Sequence, residues 1–252
     1  MTFSVAADGY DRFIGRYSRL LAPRFLEFSG VASGPVLDVG CGPGYLTAVL
    51  ADRFAANQVA AIDPTGPFID ACRARVPGAD VRIGTAGSLP FADASFTGVL
   101  SQLVISFVPD APRFATEAAR VVRPGGSIAA CTWAADGFAL VQTFWRAALR
   151  FDPDAPDDAR LPFRREGELA ALWTQAGFQE VEAGAIDLEV GYLDFADYWE
   201  PFATGGGPTT AYLRQQDAPR RDRIRDACFE LLGRPAGSFR LSARALAVRG
   251  RK

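Results

Sequence analysis

The 252-residue chain contains no histidine and one lysine, Lys252. Without imidazole there is no serine–histidine or cysteine–histidine relay, and the commonest general base and metal ligand are both missing. With so little lysine, a Schiff-base mechanism or a buried lysine nucleophile is excluded. The four cysteines, Cys41, Cys72, Cys131 and Cys228, lie too far apart to read as a zinc or redox pair. Free thiols in a reducing compartment are expected, and no metal. No run is long and apolar enough to span a bilayer. The opening MTFSVAADGYDRF has neither the basic start nor the apolar core of a secretory signal, so a cytoplasmic location is expected. Formal net charge is −2, which offers no basic field to nucleic acid or an anionic membrane. The arginines of 214–225 are interleaved with Asp217 and Asp222, the pattern of a solvated helix face.

What the chain does have is rhythm. From residue 35, short β-branched runs alternate with helical segments. PVLDVG, QVAAID, ADVRIGT, SFTGVLS and SIAACTW read as strands, with helices over 44–55, 65–75 and 110–122 between them. Such a βαβ series predicts an α/β fold whose mostly parallel, doubly wound sheet is covered on both faces. Further on, 178–190 and 239–250 alternate as strands should. They predict an antiparallel pair that brings the sheet to about seven strands, with the last strand antiparallel. Residues 191–232 interrupt that pair.

The most informative stretch is VLDVGCGPGYLT, residues 36–47. A glycine turn after a strand lets backbone approach a ligand lying across the sheet's C-terminal edge. Dinucleotides use this place, so a nicotinamide-dependent oxidoreductase is the alternative. The G-x-G-x-x-G pattern nevertheless fails twice. Tyr45 stands where helix and strand need a small residue, and Pro43 has no N–H for a pyrophosphate. Asp38 would repel phosphates but favour a cation. Asp63, ending the second strand, can accept hydrogen bonds from both ribose hydroxyls. A cationic nucleoside without phosphate points to S-adenosylmethionine.

Taken with GTAGSLPFADASFTGVLSQ and VVRPGG, this stretch resembles the class I methyltransferases, of the methyltransferase-11 type related to the quinone C-methyltransferases. The resemblance covers roughly residues 35–133. It implies a Rossmann-like core over 31–190 and 233–252, an N-terminal helical lid over 1–30 and a small inserted helical cap over 191–232. It also implies S-adenosylmethionine as cofactor, bound at the turn that contains Gly40, Cys41, Gly42 and Gly44. Asp38 would support the cofactor's ammonium, directly or through water, and Asp63 the ribose. Pro64 would lie against the adenine, which the Ala86 N–H would read. Ser101, Gln102 and Leu103 would line the sulfonium. Thr85 replaces the aspartate that relatives use for the adenine amino group, so that contact is expected to be weaker.

Transfer from an activated sulfonium is an in-line displacement in which orientation can supply on the order of 7–11 kcal/mol. A base is needed only for an acceptor that keeps its proton. Candidates are Tyr17, Asp197 and Glu200. Arg16 or Tyr10, on the segment 9–25, could clamp the cofactor's carboxylate. Ser106, Phe107 and the aromatics Tyr198, Trp199 and Phe202 are candidates for an acceptor pocket, with GGGP after them as a hinge. The expected partner is a small-molecule acceptor (a phenol, quinone-like ring carbon, amine or thiol) rather than nucleic acid or membrane. Monomer and homodimer both fit, and a non-catalytic cofactor-binding domain is a further alternative.

Overall fold

The computed structural model describes residues 11–205 and 207–252. After a short π-helical turn, the chain runs α1 (Arg16–Ser29), β1 (Val36–Val39), α2 (Tyr45–Phe54), β2 (Val59–Asp63), α3 (Gly66–Arg75), β3 (Asp80–Ile83) and β4 (Phe96–Gln102). It continues through α4 (Ala111–Val121), β5 (Val122–Phe138), α5 (Ala139–Ala148), α6 (Glu168–Gln175) and β6 (Gln179–Tyr192). Helices α7 (Phe195–Thr204), α8 (Pro208–Arg214) and α9 (Ala218–Leu231) then precede β7 (Phe239–Arg251).

The seven strands lie in the order β3-β2-β1-β4-β5-β7-β6, and only β7 runs against its neighbours. Every residue of β1 and β2 is buried, as a parallel strand covered on both faces requires. The outer pair differs. β6 and β7 carry cross-strand charges on both faces, Asp187 with Arg244 at 2.7 Å on one and Glu182 with Arg249 at 2.7 Å on the other. These charges suit an edge strand that must not recruit another chain.

One face of the sheet packs on α1, α2 and α5, the other on α4 and α6. Tyr17, Leu21 and Phe25 recur one turn apart along α1 and are fully buried against the sheet. The insertion does not build a separate core. Tyr198, Phe202 and Tyr212 join the cluster that α1 and α5 form, with Phe202 stacked on Phe144 at 4.8 Å and edge-on to Phe13 at 5.0 Å. At about 1 kcal/mol beyond their buried area per aromatic pair, such contacts bind the insertion firmly to the sheet. Among the described residues no helix is long and apolar enough to cross a membrane.

Candidate active site

Strand order reverses between β1 and β4, and there one cavity of about 1070 Å³ opens across the C-terminal ends of β1, β2, β4 and β5. Its floor is the turn after β1. Gly40, Gly42 and Gly44 all have positive φ, at 75°, 51° and 89°. The N–H groups of Gly40 and Cys41 both donate to the Ile62 carbonyl, at 2.8 and 2.9 Å, which ties the turn to β2. A Cβ on Gly40 would run into both methyls of Val104, whereas one on Gly42 would meet nothing within 4 Å. The turn is therefore packed from behind at Gly40 and open at Gly42.

Asp63 is the first fixed carboxylate in the wall. Its Oδ2 accepts the Gly42 N–H at 3.0 Å and its Oδ1 the Thr65 N–H at 2.8 Å. Burial raises its pKa while these two donors oppose the rise. Each oxygen keeps a lone pair for a further donor, as a ribose diol would need. Gln102 supplies a second acceptor. Its amide nitrogen donates to Ser18 O at 3.4 Å, and its buried Oε1 has no hydrogen-bond partner. Pro64, Thr85, Ala86 and Leu103 complete this end of the wall. The 84–91 loop is held by Glu117, which accepts the Leu89 N–H at 2.9 Å and pairs with Arg120 at 2.8 Å. Open glycine backbone, a fixed carboxylate and an orphaned buried carbonyl suit a cationic nucleoside.

Several expected site residues lie elsewhere. Asp38 is 1% exposed beneath the turn, outside the cavity wall, where its Oδ2 accepts the Thr47 hydroxyl at 2.7 Å. Burial pushes its pKa up to about 7, and Oδ1 has no partner. Cys41 and Gly44 also stand behind the turn, Gly44 against the Cys72 sulfur. Ser101 points into the sheet and donates to Val39 O at 3.0 Å. Tyr10 falls outside the described residues.

Arg16 is not placed to clamp a cofactor carboxylate. It pairs with Asp197 through contacts of 2.7 and 3.3 Å and lies over the Tyr192 ring, so it fastens α1 to α7. Hydrogen bonding to Arg16 holds the Asp197 carboxyl below its usual range, which makes it a poor base. Tyr17 is no better. It is fully buried with its hydroxyl 2.8 Å from that of Tyr192, and burial drives its pKa far above the ordinary value. Glu200 is on the exposed face of α7. None of these three lines the cavity.

At the acceptor end Phe107 does line the wall, while the Ser106 hydroxyl turns to Thr132 at 2.8 Å. Tyr198 and Phe202 are core residues and the half-buried Trp199 packs among them, so these aromatics back the wall rather than form it. The apolar surface comes instead from Phe13, Trp133, Phe138 and Val141. Gly207, Pro208 and Thr209 border it, and Asp158 and Arg164 reach it from the loop between α5 and α6. Sequence reading passed over Asp158 and Arg164 because a charged residue in a charged, proline-broken loop gives no signal.

Comparison with known proteins agrees with this geometry. Residues 37–130 match the methyltransferase-domain family. Over 162 residues the chain is 32% identical to the malonyl-[acyl-carrier protein] O-methyltransferase of Erwinia billingiae, covering 64% of this chain and 62% of that one. Over 203 residues it is 30% identical to the arsenite methyltransferase of Halobacterium salinarum, covering 77% and 49%. The chain thus spans about half to three fifths of these relatives. The structure of Haemonchus contortus phosphoethanolamine N-methyltransferase 2 in complex with S-adenosyl-L-methionine superposes with a TM-score of 0.58. That match has 16% identity and covers 97% of this chain and 59% of that one, which is a likeness of fold. The domain over 37–130 belongs to the class I methyltransferases, and its cofactor is S-adenosylmethionine.

Proposed function

We propose that the protein methylates a small-molecule acceptor held in the apolar half of the cavity. One observation carries the reading: a single continuous cavity joins the glycine turn and Asp63 to a wall of Phe13, Trp133, Phe138 and Val141. Bound S-adenosylmethionine supplies an activated methyl group open to in-line displacement. The chain's part is to orient and to exclude water. Asp63 and the 84–91 loop would fix the nucleoside, Gln102 and Leu103 would border the reacting end, and the aromatic wall would desolvate the acceptor. Leu103 adopts a positive φ of 63°, a strained conformation of the sort kept where function requires it.

Where the acceptor must lose a proton, Asp158 is the carboxylate in position at that end. Burial raises its pKa toward the range useful to a base. Asp38, beneath the turn, would act on the cofactor through its field rather than by contact. The acceptors named for the relatives, malonyl-acyl carrier protein, arsenite and phosphoethanolamine, share no one chemistry, so the acceptor must be argued from this cavity. The test is transfer of labelled methyl from the cofactor into a metabolite extract. Label in a small molecule supports the reading. Tight S-adenosylhomocysteine binding with no transfer would make the protein a cofactor-binding module instead.

A further inference from the structure

Arg164 is the one cation in the cavity wall among the described residues, and its surroundings are unusual for a guanidinium. It is 5% exposed, and its buried Nε has no hydrogen-bond partner. Other arginines of the molecule that are shielded from water or on the sheet are matched, as Arg120 is with Glu117 and Asp93, Arg244 with Asp187 and Arg249 with Glu182. Among the described residues Arg164 makes no such ion pair. Asp158 and Asp157 act on it through their fields, and burial still outweighs them and lowers its pKa.

The backbone holds it there. The Arg164 carbonyl accepts the Ala135 N–H at 2.8 Å, which fastens the loop to the β5 segment that carries Trp133 and Phe138. The preceding residue, Phe163, has a positive φ of 64°, a costly conformation for an aromatic residue. A second unsatisfied group lines the same end: Thr209 is 1% exposed and its Oγ1 has no partner. A buried guanidinium and a buried hydroxyl without partners, on residues that line a cavity end rich in aromatics, describe a receptor for an anion on an apolar body.

We infer that Arg164 anchors a carboxylate on the methyl acceptor, so that the substrate class is a small apolar acid. This rests on the methyltransferase reading of the same cavity. A singly charged carboxylate is favoured over a phosphate because Asp158 shares the wall and a dianion beside it would be repelled. The planar guanidinium matches the planar carboxylate in shape as well as charge.

The probe is benzoate, titrated by calorimetry into the complex with S-adenosylhomocysteine, with inorganic phosphate as a separate arm. Benzoate is expected to bind the wild-type complex. Arg164→Gln should weaken it roughly 10- to 100-fold, as loss of a charged hydrogen-bond donor does, and Arg164→Lys should weaken it less. S-adenosylhomocysteine affinity should stay the same in both variants. Arg164→Gln should melt no lower than wild type, since it removes a buried unpaired charge. Should that variant fail to fold, the Arg164 Nε–H resonance of the wild type, identified by its loss in Arg164→Lys, must shift on adding benzoate. Absence of benzoate binding, equal binding by the variants, an unmoved resonance, or preference for phosphate would each overturn the inference. Failure of S-adenosylhomocysteine to bind the wild type would instead remove the methyltransferase reading beneath it.

Discussion

The two ends of the cavity are built on different principles. The cofactor end is made largely of backbone: three positive-φ glycines within five residues, and one carboxylate fixed by two N–H groups. The acceptor end is made of side chains from the π-helical turn, β5, the loop before α6, and the start of α8. Backbone geometry is local and tolerates little change, so it reads one ligand well. Side chains gathered from distant segments can be exchanged one at a time, which lets the acceptor vary while the cofactor does not.

The comparison breaks first at Asp63. Asp63→Ala removes the ribose acceptor and orphans the Gly42 and Thr65 N–H groups. Calorimetry should show S-adenosylhomocysteine affinity falling about 100-fold. An unchanged affinity would mean that this end is not organised by that carboxylate. Next in size is Gly40→Ala, which combines positive φ with a clash on Val104. A loss of about 1–3 kcal/mol in thermal or denaturant stability is expected, and a smaller one for Gly42→Ala, whose Cβ meets open space.

Asp38 sharpens the contrast through pH. Its folded-state pKa, pushed up to about 7, exceeds the ordinary carboxylate value, so the native state holds a proton that the unfolded chain has already lost. The stability this confers is present at acid pH and declines as pH rises through about 7. Asp38→Asn should flatten that decline by up to about 4 kcal/mol relative to wild type, measured as denaturant stability against pH. The ammonium that S-adenosylhomocysteine shares with the cofactor favours the ionised form. Affinity for S-adenosylhomocysteine should therefore rise with pH across about 7 in the wild type and stay level in the variant. Parallel curves for the two proteins would remove Asp38 from the cofactor's field.

The smallest effect is expected at Arg16. Its partly exposed pair with Asp197 is worth about 1 kcal/mol or less, so Arg16→Ala should lower the melting temperature slightly and leave cofactor affinity unchanged. A clear loss of affinity would return Arg16 to the role of carboxylate clamp.

Legibility followed the same division. The count of about seven strands with an antiparallel last one was readable from the strand–helix alternation, and the glycine turn and Asp63 from the spacing within one βαβ unit, whereas the strand order needed the structure. Spacing gives Asp38 its position in the chain but not which side of the turn its carboxylate occupies; the bond from Thr47, nine residues on, shows that side. Tyr198 and Phe202 read as pocket because an aromatic at helical spacing looks the same whether it faces core or ligand. Only the stacking on Phe144 separates the two. Arg164 had no signature, since its burial depends on contacts between its loop and β5.

The most direct test is a calorimetric titration of the wild-type protein with S-adenosylhomocysteine and, separately, with NAD. The account predicts one site for S-adenosylhomocysteine, abolished or greatly weakened in Asp63→Ala, and no binding of NAD. Saturable NAD binding at a site that S-adenosylhomocysteine leaves empty would contradict it.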